Sequence, residues 1–218
     1  MAISMTDGTN VAADDRLADL MWETDPAIFA FIYGDLPVWR RLFRQEWTAP
    51  CSTQQDDETR VALLGDRPVG LVNSFAGAEI TPRFAATLTR QLANLGAQEA
   101  RQVQAAFEAM EWLFPRVPDD ALYILNIVVS PEMRGQDLGR LLIAEAVAKA
   151  QRMGLRSVHL DTASDNPAVR FYTRVGFRAV VESRAMSLPD GITLPAHLRM
   201  VMDVQASTTP AMRTGPSR

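Results

Sequence analysis

Three groups of residues have types and spacings suited to chemistry. The first is Val129-Ser130-Pro131-Glu132-Met133-Arg134-Gly135-Gln136-Asp137-Leu138-Gly139, with Arg140 next. An apolar run precedes it and an amphipathic run follows, so it reads as a strand-to-helix turn. The start of a helix gathers N–H groups that lack intrahelical partners and carries the positive end of the helix dipole. Such a turn can hold a pyrophosphate. Gly135 gives backbone freedom and close approach. Gly139 permits close packing in the first turn, and Arg134 and Arg140 add positive charge. On spacing alone, an anion site and an ordinary strand–helix connection fit equally well. The common nucleotide fingerprints fit poorly: no Gly-x-x-x-x-Gly-Lys-Ser/Thr occurs, and no Gly-x-Gly-x-x-Gly follows a strand.

The second group is Asn166-Pro167-Ala168-Val169-Arg170-Phe171-Tyr172-Thr173-Arg174-Val175-Gly176-Phe177. Asn166 or Asp165 caps a short helix, Pro167 sits in its first turn and Gly176 closes it. The third group lies on strands. His159 and Asp161 share a face by strand alternation, and an imidazole titrates near neutrality. Tyr123 and Asn126, on the neighbouring strand, could hold a water. A structural or merely exposed role fits His159 and Asp161 as readily as proton transfer does.

The elements that must position these groups read as follows. Asp14–Trp47 is helical, with Pro26 and Pro37 where helices start and Gly34 as a break. It holds Trp22, Phe29, Phe31, Tyr33, Trp39, Phe43 and Trp47, seven of the chain's sixteen aromatics, and either lines a pocket or forms core and dimer contacts. Arg60–Leu64 and Val69–Phe75 flank Gly65-Asp66-Arg67-Pro68 as a β-hairpin. Thr81–Phe114 is helical with a break at Asn94-Leu95-Gly96, and serves as a lid, a dimer surface or plain scaffold. Its Glu108 and Glu111 read as a solvated face or as contacts to a cation. Leu122–Val129 is continuously apolar, as a strand buried on both faces should be. Leu138–Met153 is an amphipathic helix, with Leu138, Leu141, Leu142, Ala146, Ala150 and Met153 on one face. Ser157–Leu160, Phe177–Met186 and Leu198–Val204 are further strands. The fold class is therefore α/β: a mixed sheet with helices on both faces. Residues 13–205 read as a single domain, between a disordered N-terminus over 1–12 and a disordered Ser/Thr/Pro-rich tail over 206–218.

Composition narrows the function. The 218 residues are 47% hydrophobic and 22% charged, with a net charge of −4, which suits a globular protein and argues against a nucleic-acid partner. One cysteine, Cys51, precludes an intrachain disulfide and a cysteine metal cluster. The two histidines show no metal-ligand spacing, so no metal is expected. No stretch reads as a secretory leader or a membrane span. The expected location is cytoplasmic, with no membrane partner.

Two of the groups resemble a known family. Val129, Pro131, Arg134, Gly135, Leu138 and Gly139, with Leu141-Leu142 beyond, are similar to the acetyl-CoA loop of the GNAT superfamily of N-acetyltransferases. Asn166 through Phe177 is similar to that family's second motif. The likeness spans roughly Tyr123–Val181 and does not extend clearly to the N-terminal half. Asp137 stands where the family usually has Gly or Ala, and Asn166 precedes Tyr172 by one residue fewer than in many members. The resemblance implies the GNAT acyl-CoA N-acyltransferase fold, with acetyl-CoA as co-substrate and no metal. It implies that Ile127, Val128 and Val129 bond the pantetheine arm. Arg134, Gly135, Gln136, Asp137, Leu138, Gly139 and Arg140 would surround the pyrophosphate, with Asn166 and Tyr172 completing the site. A primary amine would attack directly in a ternary complex, with Tyr172 as general acid. Asp161 is a candidate general base, since some members carry an acid there. The alternative is a non-catalytic acyl-CoA-binding regulatory module on the same fold. The acceptor's identity and a homodimer stay open.

Overall fold

One seven-stranded sheet organises the chain, in the order β1-β2-β3-β4-β5-β7-β6. The strands are β1 (Ile3–Asp7), β2 (Thr59–Leu64), β3 (Arg67–Ala76), β4 (Ala121–Val129), β5 (Ser157–Ala163), β6 (Arg178–Ser183) and β7 (His197–Asp203). The helices are α1 (Asp15–Trp22), α2 (Pro26–Tyr33), α3 (Leu36–Glu46), α4 (Ile80–Ala93), α5 (Ala97–Met110), α6 (Leu138–Arg152) and α7 (Ala168–Arg174). The computed structural model describes residues 2–184 and 194–204. The expected tail over 206–218 and the last residues of the Phe177–Met186 strand lie outside these.

Among the described residues, only β4 and β5 pair in parallel; every other neighbouring pair is antiparallel. Strand alternation sorts the core. Leu71 and Val128 face α1–α3, whereas Val69, Val72, Leu122 and Ile124 face α6. The sheet therefore has helices on both faces, as the mixed pattern of runs predicts. The aromatics of the N-terminal helices form a chain of rings, Phe29–Trp39 at 4.6 Å, Trp39–Phe43 at 5.5 Å and Phe43–Trp47 at 5.2 Å. Each of those three helices starts on an aspartate cap, with Asp14, Asp25 and Asp35 accepting from Leu17, Ile28 and Val38 N–H.

Two expectations need correction. The N-terminus expected to be disordered over 1–12 contains β1, paired with β2 from Ile3↔Leu64 to Asp7↔Arg60. Ile3 and Met5 alternate with polar residues and pack on the core, a period-two signal too short to weigh against the polar residues around it. On α6, Leu141 and Met153 are exposed, and Ile143 takes an inward place instead. The inward stripe follows a four-residue step through Leu138, Leu142, Ala146 and Ala150.

Candidate active site

The site begins where β4 and β5 part. Their parallel pairing runs from Ala121↔Ser157 to Ile124↔Leu160 and stops, while β4 continues to Val129 and β5 to Ala163. A bulge accompanies the fork: Asn73 pairs with Asn126 and Ser74 with Ile124, leaving Leu125 out of register. Beyond the fork, β4 keeps β3 on one edge, through Val72↔Ile127, Leu71↔Val128 and Gly70↔Val129. Its other edge turns away from β5 there, so backbone groups of Ile127–Val129 can bond an extended ligand arm.

The turn after β4 leads into the N-terminus of α6. Gly135 has φ +77, and a Cβ built on it meets no heavy atom within 4 Å, so the space above the turn is open. The first intrahelical bond runs from Leu141 N–H to Asp137 C=O at 3.1 Å. The N–H groups of Leu138, Gly139 and Arg140 therefore have no carbonyl one turn below them. Asp137 sits at φ +59, in the left-handed region that Asp tolerates better than most residues. Its side chain is 87% exposed and lies 3.4 Å from Arg140 Nε. The carboxylate thus turns toward solvent and Arg140. Arg134 Nε donates to Val129 C=O at 3.2 Å and Gln136 Nε2 to Glu132 C=O at 3.1 Å, which brace the turn. Gly139 has a packing reason: a Cβ there would lie 3.0 Å from Phe171 Cζ.

A cavity of about 1020 Å³ opens from the fork and runs beneath α2, α4 and α5. Ile127, Asn166 and Tyr172 line its fork end. Asn166 Oδ1 accepts from the N–H of Ala168, the first residue of α7, at 2.9 Å, while the N-cap position itself is Pro167 rather than Asn166 or Asp165. Tyr172 is buried, and burial alone pushes its phenol up to about 12. It stays protonated at neutral pH, as a proton donor must. α4 roofs the cavity and is pinned there by buried Arg83, which bonds Glu58 at 2.5 Å and Glu79 at 2.9 Å.

Asp161 also lines the cavity, but its carboxylate is occupied. Arg199 grips it with two bonds, Nε to Oδ1 at 2.8 Å and Nη2 to Oδ2 at 2.7 Å, and Tyr123 Oη donates to Oδ2 at 2.9 Å. Only 3% of the Asp161 side chain and 4% of the Arg199 side chain are exposed. Burial works against the Arg199 charge, but the Asp161 carboxylate outweighs it and holds the guanidinium above its ordinary value. Burial first, and the Asp161 anion second, hold the Tyr123 phenol well above its usual value. His159 bonds Ser157 Oγ at 3.0 Å and is held below its ordinary value, by burial first and by Arg199 second. It is not among the cavity-lining residues.

Residues 15–177 match the Acetyltransferase (GNAT) family. The chain belongs to this family. The match reaches well into the N-terminal half, which the motifs alone did not cover. A 50-residue stretch is 48% identical to a mycothiol acetyltransferase from Actinosynnema mirum, covering 22% of this chain and 17% of that protein's length. An N-acetyltransferase from Staphylococcus aureus Mu50 is similar in fold, with a TM-score of 0.65 and 14% identity over 91% of this chain and all of that one. An N-acetyltransferase from Thermoplasma acidophilum, in complex with coenzyme A, has a TM-score of 0.53 and 14% identity over 93% of this chain and 99% of that one.

The GNAT fold brings Ile127, Asp161, Asn166 and Tyr172 to one cavity and sets the turn from Arg134 to Arg140 at the end of the same forked strand. Sequence reasoning passed over Asp25, His197 and Arg199, all of which line that cavity. A signal existed for the last two: His197 and Arg199 alternate with apolar residues on a mostly apolar strand. Their partners, Asp25 and Asp161, lie far off in sequence, so spacing could not pair them.

Proposed function

We propose that the protein transfers an acetyl group from acetyl-CoA to a primary amine. One observation carries the reading: the forked strand and the buried phenol of Tyr172 border one cavity, and the turn with open N–H groups ends that same strand. The backbone of Ile127–Val129 would receive the pantetheine arm, and the N–H groups of Gly135–Arg140, with Arg134 nearby, the pyrophosphate. Acetyl-CoA supplies the acyl group as an activated thioester and leaves as the thiol. Tyr172 holds the proton that a leaving thiolate needs, because burial keeps its phenol neutral far above physiological pH. Asn166 orders the start of the helix that carries Tyr172.

Asp161 is better suited to anchoring than to taking a proton. Both of its oxygens already accept from Arg199 and Tyr123, so it fixes those two groups beside the fork. The non-catalytic reading rests on Asp137 together with the unassigned general base; the exposed, Arg140-directed carboxylate removes the first ground, and the engaged Asp161 leaves the second standing.

Coenzyme A release with a confirmed amine substrate tests this in the Tyr172→Phe variant. Loss of general acid catalysis should lower kcat by about a hundredfold, with acetyl-CoA affinity unchanged by calorimetry. Full thiol release by that variant would remove Tyr172 from its role.

A further inference from the structure

Asn126 holds an acceptor that nothing fills. Its side chain is buried and lines the cavity, and its Nδ2 donates to Thr24 Oγ1 at 3.0 Å. The Thr24 hydroxyl donates its one proton to Met21 C=O at 2.8 Å. Donating there, it accepts from Asn126 Nδ2, and this pattern assigns the orientation of the amide. Oδ1 is left buried with no hydrogen-bond partner among the described residues. A buried polar atom in that state is costly unless a ligand completes it.

Asp25, next to Thr24, brings a carboxylate to the same wall. Its Oδ1 accepts from Ile28 N–H at 3.1 Å, but Oδ2 meets only His197 Nε2, at a loose 3.4 Å. His197 is turned there by its Nδ1, which lies 3.0 Å from Pro195 C=O. Of the cavity's arginines, Arg199 is held by Asp161 in a buried pair, and Arg116, 84% exposed, pairs with Asp119 at 3.0 Å at the surface. What this wall offers a ligand is therefore acceptors and negative charge. An ammonium has three donors and a positive charge that suit the free oxygens of Asp25 and Asn126; a carboxylate or phosphate would face those same acceptors. The walls beyond are apolar: Ile28, Phe29 and Ile32 from α2, Phe84 from α4, Phe107 and Met110 from α5. Beside these rings a linear polyamine would have to extend as far as Glu111 or Asp119 to set a further charge against a carboxylate.

We propose that the acceptor is a primary amine on an aromatic or bulky apolar body, its ammonium received by Asp25 and Asn126 Oδ1; this rests on the acetyl-transfer reading above. Calorimetry with 2-phenylethylamine in the presence of coenzyme A, and thiol release from acetyl-CoA in parallel, test it. Asp25→Asn removes the charge yet keeps an oxygen to cap α2. The expected result is binding and acetylation of 2-phenylethylamine in preference to spermidine and to phenylalanine, whose carboxylate would be brought beside that of Asp25. Asp25→Asn should weaken 2-phenylethylamine binding by about tenfold or more, with coenzyme A affinity retained. Undiminished binding by that variant, absence of amine binding, or a preference for spermidine or phenylalanine overturns the subsite; acetylation of spermidine alone would still leave acetyl transfer standing. Binding that Asp25→Asn abolishes, without thiol release by the wild type, upholds the subsite and overturns acetyl transfer instead.

Discussion

Replacing Asp161 by asparagine separates an anchor from a base. The carboxylate faces a guanidinium whose side chain is 4% exposed, and it is itself 3% exposed. Solvent cannot screen the pair or replace a lost partner. Breaking such a buried pair by removing one charge costs about 3–5 kcal/mol. Asparagine keeps one acceptor oxygen, and Arg199 Nη2 keeps its bond to Pro115 C=O at 2.6 Å, so the low end applies, about 3 kcal/mol. With a urea m-value of about 2 kcal/mol/M, the unfolding midpoint should fall by about 1.5 M. The partner change closes the cycle. Asp161→Leu with Arg199→Met removes both charges, and the double variant should lose at least about 1.5 kcal/mol less than the sum of the two single variants. Urea denaturation followed by tryptophan fluorescence measures Asp161→Asn and the four proteins of the cycle. An Asp161→Asn variant within about 0.5 kcal/mol of wild type that had nonetheless lost turnover would refute the anchoring role. It would leave Asp161 as a proton acceptor.

The three tyrosines predict an unusual alkaline titration. Burial raises Tyr33, Tyr123 and Tyr172, with Tyr172 at about 12, and the chain has no others. Each binds its proton more tightly folded than unfolded, so its contribution to stability is complete below an unfolded value of about 10 and lost as pH rises beyond. Absorbance at 295 nm should show no phenolate below about pH 10.5 in the folded protein; one equivalent titrating at about pH 10 contradicts the burial of at least one ring. Gly139→Ala sets a Cβ 3.0 Å from Phe171 Cζ and should cost about 1–3 kcal/mol by overpacking, read as a lowered urea midpoint. A neutral effect would mean that Phe171 yields freely. Asp137→Gly removes an anion beside the α6 N-terminus and relaxes a φ of +59. Acetyl-CoA affinity by calorimetry should rise a few-fold at low salt, and the gain should shrink as salt is added. A fall in affinity would instead assign Asp137 a supporting role through Arg140.

The elements most legible in the sequence are those in which local chemistry and tertiary packing agree. The apolar run of β4, the Gly96 break between α4 and α5 and the hairpin around Gly65 each have a local cause that survives folding. The turn at Gly135 was legible for the same reason, since a positive φ and an open face are properties of the turn itself. β1 was not, because two alternating apolar residues gain meaning only from the β2 edge that pairs with them. The Asp161–Arg199 and Asp25–His197 contacts were illegible for a stronger reason. Each joins strands or helices far apart in sequence, so spacing gives no sign of the contact. A buried arginine on an apolar strand does announce a partner, but not which carboxylate.

The ion pair and the fork are one device. Leu160 is the last residue of β5 paired with β4, and Asp161 is the first beyond it. Arg199, its register partner on β7, reaches past Asp161 to the carbonyls of Pro115 and Arg116, on the segment that leads into β4. Tyr123, on β4 itself, closes the same cluster through its bond to Asp161 and lies with its ring 5.5 Å from the Arg199 guanidinium. Two parallel strands with free edges would otherwise gain by zipping further, since each added ladder bond satisfies a backbone donor and acceptor. A guanidinium held at the branch point, bonded to β5 on one side and to the approach to β4 on the other, fixes the strands at the distance where pairing ends. Neutral, apolar replacements could fill that volume and preserve stability, yet they would not hold the two segments in this register. On that account the Asp161→Leu, Arg199→Met protein should fold, and its acetyl-CoA affinity should fall about tenfold because the edge of Ile127–Val129 is no longer held open. Wild-type affinity in that double variant would show that the bulge at Leu125 suffices to keep the fork apart.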